Sequence, residues 1–414
     1  MLTASALFAA PGAATAADPV TLHWALWDLN QIPYYKPLID TYVARHPNVK
    51  IETVDLGSTD YHTMLSLQLT GGAKDLDIIT IKEITGFTTM VKARQLEQLD
   101  GYMAANKIDP AAYGGSVEQT LNDGKTYGIP FRTDFWVLYY NKDLFDKAGV
   151  PYPGNDLSVA EFDALAKKLT SGFGANKTYG ALFHTWYSPV ILNAILDGKH
   201  TMIDGDYGFL KPWYERGLAL QKAGTIPGYA TLKSTNTHYS GPFYNNAVAM
   251  MPMGTWFIGT QIAKVKSGES KSARWSIVKY PHPDGVAAGT TIGSVTLLSV
   301  NAASAHKPEA LDFLKFVTGA EGAAIIARSG LIPALKSDAA LQTITSADGF
   351  PTDANARAAL VPTKIFLDKP IHPKGAQLEI LLNRTHDAIM TESVGIDAGL
   401  ADLAKSAKSL LAEP

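Results

Sequence analysis

The chain has 414 residues, 46% of them hydrophobic, which is enough for two or three domains with cores of their own. Charge is sparse, 36 Lys+Arg against 39 Asp+Glu, and a net charge of -3 gives no field able to hold a polyanion, which argues against nucleic-acid binding through a basic surface. Cysteine is absent, so disulfides, thiolate metal sites, cysteine nucleophiles and a lipid-modified cysteine are excluded together.

In chain order, residues 1–17 carry a short apolar run, Ala4 to Ala10, and then Ala14-Thr15-Ala16, the small-x-small pattern of a signal-peptidase site. They read as the remnant of a signal peptide without its cationic start, so the expected mature chain begins near Ala17 or Asp18 and is exported and soluble. Val20 to Trp27 reads as a strand, Asp28 to Gln31 as a polar loop, and Tyr35, Leu38, Ile39, Tyr42 and Val43 as one apolar helical face. A second strand follows at Val49 to Val54. Asp60 is placed to cap a helix carrying Tyr61, Met64, Leu65 and Leu69, and Leu76 to Ile81 reads as a third strand buried on both faces. Strand, helix, strand, helix, strand implies a parallel sheet, whose ligands sit beyond the carboxyl ends of the strands.

Thr126 to Asn141 reads as extended chain with an unusual polar cluster, Arg132 and Asp134, inside it. Lys142 to Gly149 is a helix closed by glycine, and Ser158 to Glu161 a capping box. Further helices are expected over Leu210 to Ala223, Ala310 to Arg328, Gln377 to Ile389 and Ile396 to Leu411. Strands are expected over Ala247 to Met251, Trp275 to Tyr280 and Ser294 to Val300. The fold class is α/β with two lobes, each a mixed sheet flanked by helices and joined by hinge crossovers. The N-terminal lobe is expected over 18–134 with later chain returning near 293–335, the C-terminal lobe over 135–292, and the lobe of the helices in 336–414 is left open.

Catalytic and metal motifs are scarce. No two of the ten histidines lie within four residues, which removes helical zinc pairs and zinc-finger spacings, so no metal or cofactor is expected. No phosphate-binding glycine loop and no G-x-S-x-G elbow occurs, and Ser304-Ala305-His306-Lys307 reads as a polar loop before a helix rather than an S-x-x-K nucleophile motif. Aromatic residues instead stand beside hydrogen-bonding ones in expected loops: Trp27-Asp28, Phe135-Trp136, His184 to Tyr187, His238 to Ser240 and Gly254-Thr255-Trp256. A pyranose needs this pairing, because its C–H faces pack on rings while its hydroxyls both donate and accept. Trp24, Trp213 and Trp275 fit a core; Trp27, Trp186 and Trp256 fit either a core or a stacking platform. Arg132 and Asp134 fit either a ligand site or a structural ion pair. A glycosidase using two of Asp28, Asp60, Glu83 and Asp134 is the alternative from a different class.

Tyr139-Tyr140-Asn141-Lys142-Asp143-Leu144-Phe145, followed by Ala148-Gly149-Val150-Pro151, resembles the solute-binding proteins of carbohydrate ABC importers, the maltose-binding-protein-like family. Tyr127 to Pro130, Gly254-Thr255-Trp256, Gly289 to Ser294, Phe313 to Thr318 and Ile332-Pro333-Ala334 continue the likeness in order. The resemblance implies a sugar, most simply a di- or oligosaccharide, held in a cleft between two lobes and delivered to membrane permease subunits by a monomer that performs no catalysis. It carries substrate contacts onto Trp27, Asp28, Gln31, Asp60 and Glu83 at the first three strand ends, and onto Arg132 and Asp134 in the crossing strand. Gly254, Thr255, Trp256, Gly293 and Ser294 match by motif, and Trp186, Tyr239 and His372 by position. Lipoprotein members of the family carry a cysteine after the signal peptide; without one, a free periplasmic protein is expected.

Overall fold

Val, Leu and Trp between turn residues form the first strand, β1, at Val20–Leu26, and the parallel partners expected for it follow as β2 at Val49–Asp55 and β3 at Ile78–Ile81. The computed structural model describes residues 18–412 apart from 31, 58–60, 73, 83, 85 and 370, so the expected signal-peptide remnant lies outside the described residues. β1 pairs in parallel with both β2 and β3. The connections run through helices Tyr35–Val43 and Tyr61–Thr70, because parallel neighbours need a crossover that a tight turn cannot supply. All four residues of β3 are buried, as a strand covered on both faces must be.

The sheet is completed by β4 at Ile129–Asn141, β5 at Tyr179–Ala181, β6 at Val248–Gly254, β7 at Trp275–Lys279, β8 at Thr290–Val300 and β9 at Lys364–Leu367. The order is β2-β1-β3-β8-β4-β6-β5, with β7 also on β4 and β9 also on β8. Two strands serve both lobes. β8 pairs with β3 through Leu297 to Val300, while β4 pairs with β8 through Phe135 and with β6 and β7 beyond it. At about 3.3 Å per residue, β4 runs for some 40 Å, long enough to enter two cores.

Those cores lie on both faces of each lobe. In the first lobe Leu22, Trp24 and Leu26 pack on Tyr35, Phe313 and Ile326, and Ala25, Ile79 and Ile81 pack on Tyr61, Leu65 and Phe87. In the second, Trp136, Leu138 and Tyr140 meet Phe162, Tyr214, Leu382 and Leu403, while Val137, Tyr139 and Met251 meet Phe257, Ile344 and Ala356. The helices Gly375–Met390 and Ile396–Ala412 therefore build on the same core as Trp136. Trp24 and Trp275 are buried as expected, and Trp213 is half-buried against the second-lobe core. The single helix expected over Ala310 to Arg328 is two, Lys307–Thr318 and Ala320–Arg328. Gly319 breaks it in extended backbone, where a Cβ would stand 2.8 Å from the Lys315 carbonyl oxygen.

Candidate functional site: the inter-lobe cleft

Trp27 lies one residue beyond β1, its ring buried edge-on to Tyr35 and Tyr61 at centroid distances of 6.1 and 5.5 Å. The Lys82 ammonium and the Arg132 guanidinium stand 5.6 and 5.8 Å from the same ring, within cation–π range. Asp28 adopts a left-handed φ of 48°, and the loop is tied down by Asp55. The Asp55 carboxylate accepts the backbone N–H groups of Asp28, Leu29 and Gly57, each at 3.0 Å. Sequence reading passes over Asp55; an acidic residue at the carboxyl end of the strand beside β1 is the feature that marks it. Gln31, Asp60 and Glu83 lie outside the described residues.

Because side chains alternate along a strand, Arg132, Asp134 and Trp136 share one face of β4. Arg132 Nε stands 3.1 Å from Asp134 Oδ2, Thr255 Oγ1 donates to Asp134 Oδ1 at 3.1 Å, and Arg132 Nη1 reaches the Tyr34 hydroxyl at 3.5 Å. Burial is the largest single influence and works against the guanidinium charge, but the Asp134 carboxylate together with the Tyr34 and Tyr35 side chains more than offsets it and holds the Arg132 pKa above its ordinary value. Asp134 is only 2% exposed, with both oxygens engaged. The Trp136 indole N–H is also buried and has no hydrogen-bond partner among the described residues.

Ser294 is the register partner of Asp134 across β8, and Gly293 that of Phe135. Gly293 is an ordinary strand residue outside the left-handed region, and its lack of a side chain is what matters. A Cβ there would stand 2.5 Å from the Asp134 carbonyl oxygen and 2.7 Å from Ile365 Cγ2, between β4 and β9.

The second lobe supplies a wall of rings. β6 ends at Gly254, Thr255 N–H donates to the Phe135 carbonyl at 2.9 Å, and the Trp256 indole folds back over Gly254, where a Cβ would intrude to within 3 Å of the ring carbons. Trp256 packs against hydrophobic groups of both lobes and lies edge-on to Trp136 at 5.9 Å and Trp186 at 6.2 Å. Trp186, 37% exposed, meets Tyr239 at 5.6 Å and His184 at 4.5 Å. Burial raises the Tyr239 phenol against an opposing influence of the Trp256 side chain, and burial pushes His184 down to about 4, with His238 and Lys233 adding to the effect. His238 Nδ1 lies 2.7 Å from Ser240 Oγ.

The structure thus joins Trp186, Tyr239 and Trp256 by ring contacts, and Arg132, Asp134, Thr255 and Ser294 by hydrogen bonds, charge and strand pairing. Trp27 connects through Arg132. Among the described residues His372 makes no hydrogen bond or ring contact with either group, but Ile371 beside it packs with the first-lobe group that includes Trp27, and its Nδ1 accepts the Lys374 N–H at 3.1 Å. Sequence reading names Trp136 and His184 in its aromatic and polar pairs without giving them a contact, and passes over Tyr34. Counting in twos from Arg132 finds Trp136, and the His184 to Tyr187 run already contains His184. Among the described residues no group of three His, Cys, Asp or Glu is placed to hold a metal ion, and no helix is long and apolar enough to cross a membrane. Flat rings beside buried donors can pack a ring's C–H face and hydrogen-bond its hydroxyls.

Comparison with known proteins bears on the family and the fold. A sugar transporter of Rhizobium etli, solved in an open conformation, is 58% identical with a TM-score of 0.86, covering 94% of this chain and 99% of that one. The lactose-binding protein of Rhizobium radiobacter is 26% identical over 354 residues, 80% of each chain. An ABC substrate-binding protein of Listeria monocytogenes in complex with cycloalternan shares the fold at 20% identity and a TM-score of 0.81, over 96% of this chain and 100% of that one. The family model described as bacterial extracellular solute-binding protein matches residues 28–324, and the chain belongs to that family.

Proposed function

We propose that the protein binds a sugar, a di- or oligosaccharide, reversibly in the cleft and hands it to the permease subunits of an ABC importer, acting as a monomer in the periplasm without chemical turnover. The observation that carries this reading is the set of ring contacts that join Trp186, Tyr239 and Trp256, together with the Arg132 and Asp134 pair whose guanidinium stands over Trp27, and we take the two groups as opposite walls of the cleft. Several rings in one wall suit several sugar rings, each covered by an aromatic face. The 58% identical sugar transporter and the lactose-binding relative support the same ligand class.

The lobes are taken to meet where the chain passes from 134 to 135 and returns from 292 to 293, and to close on the ligand. Closure brings the Trp27 and Asp28 loop toward the ring wall and expels water from between them, and Gln31, Asp60 and Glu83 stay in the proposed contact set on the family resemblance alone. Ser294, Gly254 and Thr255 shape the floor, and His372 contributes from the first-lobe side. Both Asp134 oxygens are engaged, which speaks against its use as a glycosidase acid or nucleophile.

Calorimetry against a panel of mono-, di- and trisaccharides tests the reading. Affinity on the order of micromolar, about -8 kcal/mol, is expected, unchanged by EDTA and without release of monosaccharide. A response confined to amino acids or metal ions, or hydrolysis of the panel, would overturn it.

A further inference from the structure

Trp186 and His184 sit on a loop with little support of its own. Among the described residues, 183–186 join no backbone-to-backbone hydrogen bond. The Thr185 carbonyl is held instead by a side chain, the Tyr229 hydroxyl, at 3.0 Å. Tyr229 is itself fixed on several sides: its N–H donates to Gln221 Oε1 at 2.8 Å, and its ring stands edge-on to buried His386 at 5.2 Å. Gln221 in turn donates to the Met390 carbonyl at 3.3 Å, so the anchor reaches the C-terminal helix Gly375–Met390.

The Tyr229 hydroxyl also touches the Asp387 carboxylate on that helix, and Lys233 Nζ lies 2.9 Å from the same Asp387 oxygen. Burial, reinforced by Asp387, holds the phenol well above its usual pKa, so it keeps its proton. A phenol has one proton to give and here faces two acceptors, a carboxylate and a carbonyl. The charged acceptor is the stronger, and Lys233 weakens it by sharing the oxygen.

We infer that Tyr229 is a positioning residue for Trp186, and that Asp387 competes with the Thr185 carbonyl for the Tyr229 proton. This rests on the reading of Trp186 as a sugar-stacking ring and extends the site to residues that touch no ligand. It follows that two changes in one network have opposite effects. Tyr229→Phe removes the proton and frees the loop. Asp387→Asn keeps the shape, replaces the carboxylate by a weaker neutral acceptor and leaves more of the proton to Thr185.

The test uses the full chain labelled with 5-fluorotryptophan, the Trp186 resonance being assigned by its loss in Trp186→Phe. In ligand-free protein, Tyr229→Phe should broaden or split that resonance, whereas Asp387→Asn should leave it single and at least as sharp as in the parent. With lactose as the probe, Tyr229→Phe should weaken binding by about 5- to 10-fold, the loss of one hydrogen bond, and Asp387→Asn should not weaken it. An unchanged Trp186 resonance in Tyr229→Phe, or broadening in both variants, overturns the inference. Trp186→Ala separates the underlying reading: if it binds lactose as the parent does while Tyr229→Phe still disturbs the resonance, the positioning stands and the stacking role of Trp186 falls.

Discussion

Replacing Gly254 by alanine adds one methyl group and should disable the ring wall. Gly254 ends β6 in ordinary strand backbone, so alanine costs nothing in φ. The new Cβ, however, would lie within 3 Å of the Trp256 ring carbons, closer than real Cβ atoms come to their neighbours, while Gly254 itself is held in register against Trp136 of β4. The ring must leave its place. It then loses its edge contacts with Trp136 and Trp186, each worth about 0.5–1.5 kcal/mol. The sum is about 1–3 kcal/mol, or roughly 5- to 150-fold in saccharide affinity if the whole of it falls on binding. Calorimetry measures the affinity, and near-ultraviolet circular dichroism follows the coupled indoles of Trp136, Trp186 and Trp256. Parent-like affinity together with a parent-like aromatic spectrum would refute the reasoning, because the ring would then have tolerated the methyl group.

Gly293→Val should lower the urea midpoint by an amount equivalent to about 1–3 kcal/mol, since its branches press on the Asp134 carbonyl and Ile365; an unchanged midpoint would mean that β9 moves aside freely. Arg132→Ala leaves a buried carboxylate at Asp134 without its cation and should cost about 3–5 kcal/mol in the same assay, with Asp134→Asn in the Arg132→Ala background recovering part of the loss. Burial pushes His386 down to about 3 and His184 down to about 4, so between those values and the ordinary 6.5 the unfolded chain binds more protons than the folded one. Stability is therefore complete above about pH 6.5 and falls as the pH drops through that window, with a slope of up to roughly 1.4 kcal/mol per pH unit for each histidine. Urea unfolding between pH 7 and 4 checks this, and His386→Leu should make the decline shallower.

Much of the fold is legible in the sequence where its periods and caps are clean. Tyr35, Leu38 and Tyr42 are buried at helical spacing, and the Ser158 and Glu161 capping box forms as its residues dictate. The Gly149 cap takes the left-handed φ of 65° that ends its helix. What escapes is set by tertiary approach. β8 begins four residues before its expected start because Thr290 to Gly293 pair with β9, a strand too short and too exposed to announce itself. At the site, the aromatic residues are readable from their polar neighbours, but Trp136 belongs with Arg132 only once both are known to lie on one face of a straight strand. Asp55 and Tyr229 hold loops through hydrogen bonds to residues far away in the chain, and no local pattern carries that information.

The place of β8 between β3 and β4 has a consequence for how the protein comes into being. Residues 78–81 wait for residues 297–300 before the first sheet closes, and the second core waits for the helices at 375–412. A ribosome that has made only the first two hundred residues has therefore produced neither lobe, and such distant pairings are slow to find each other even in the finished chain. Arrested synthesis just before and just after residue 300, followed by brief proteolysis, would display the step. The longer the chain stays open, the longer the edges of residues 78–81 and 297–300 stay unpaired and open to a protease.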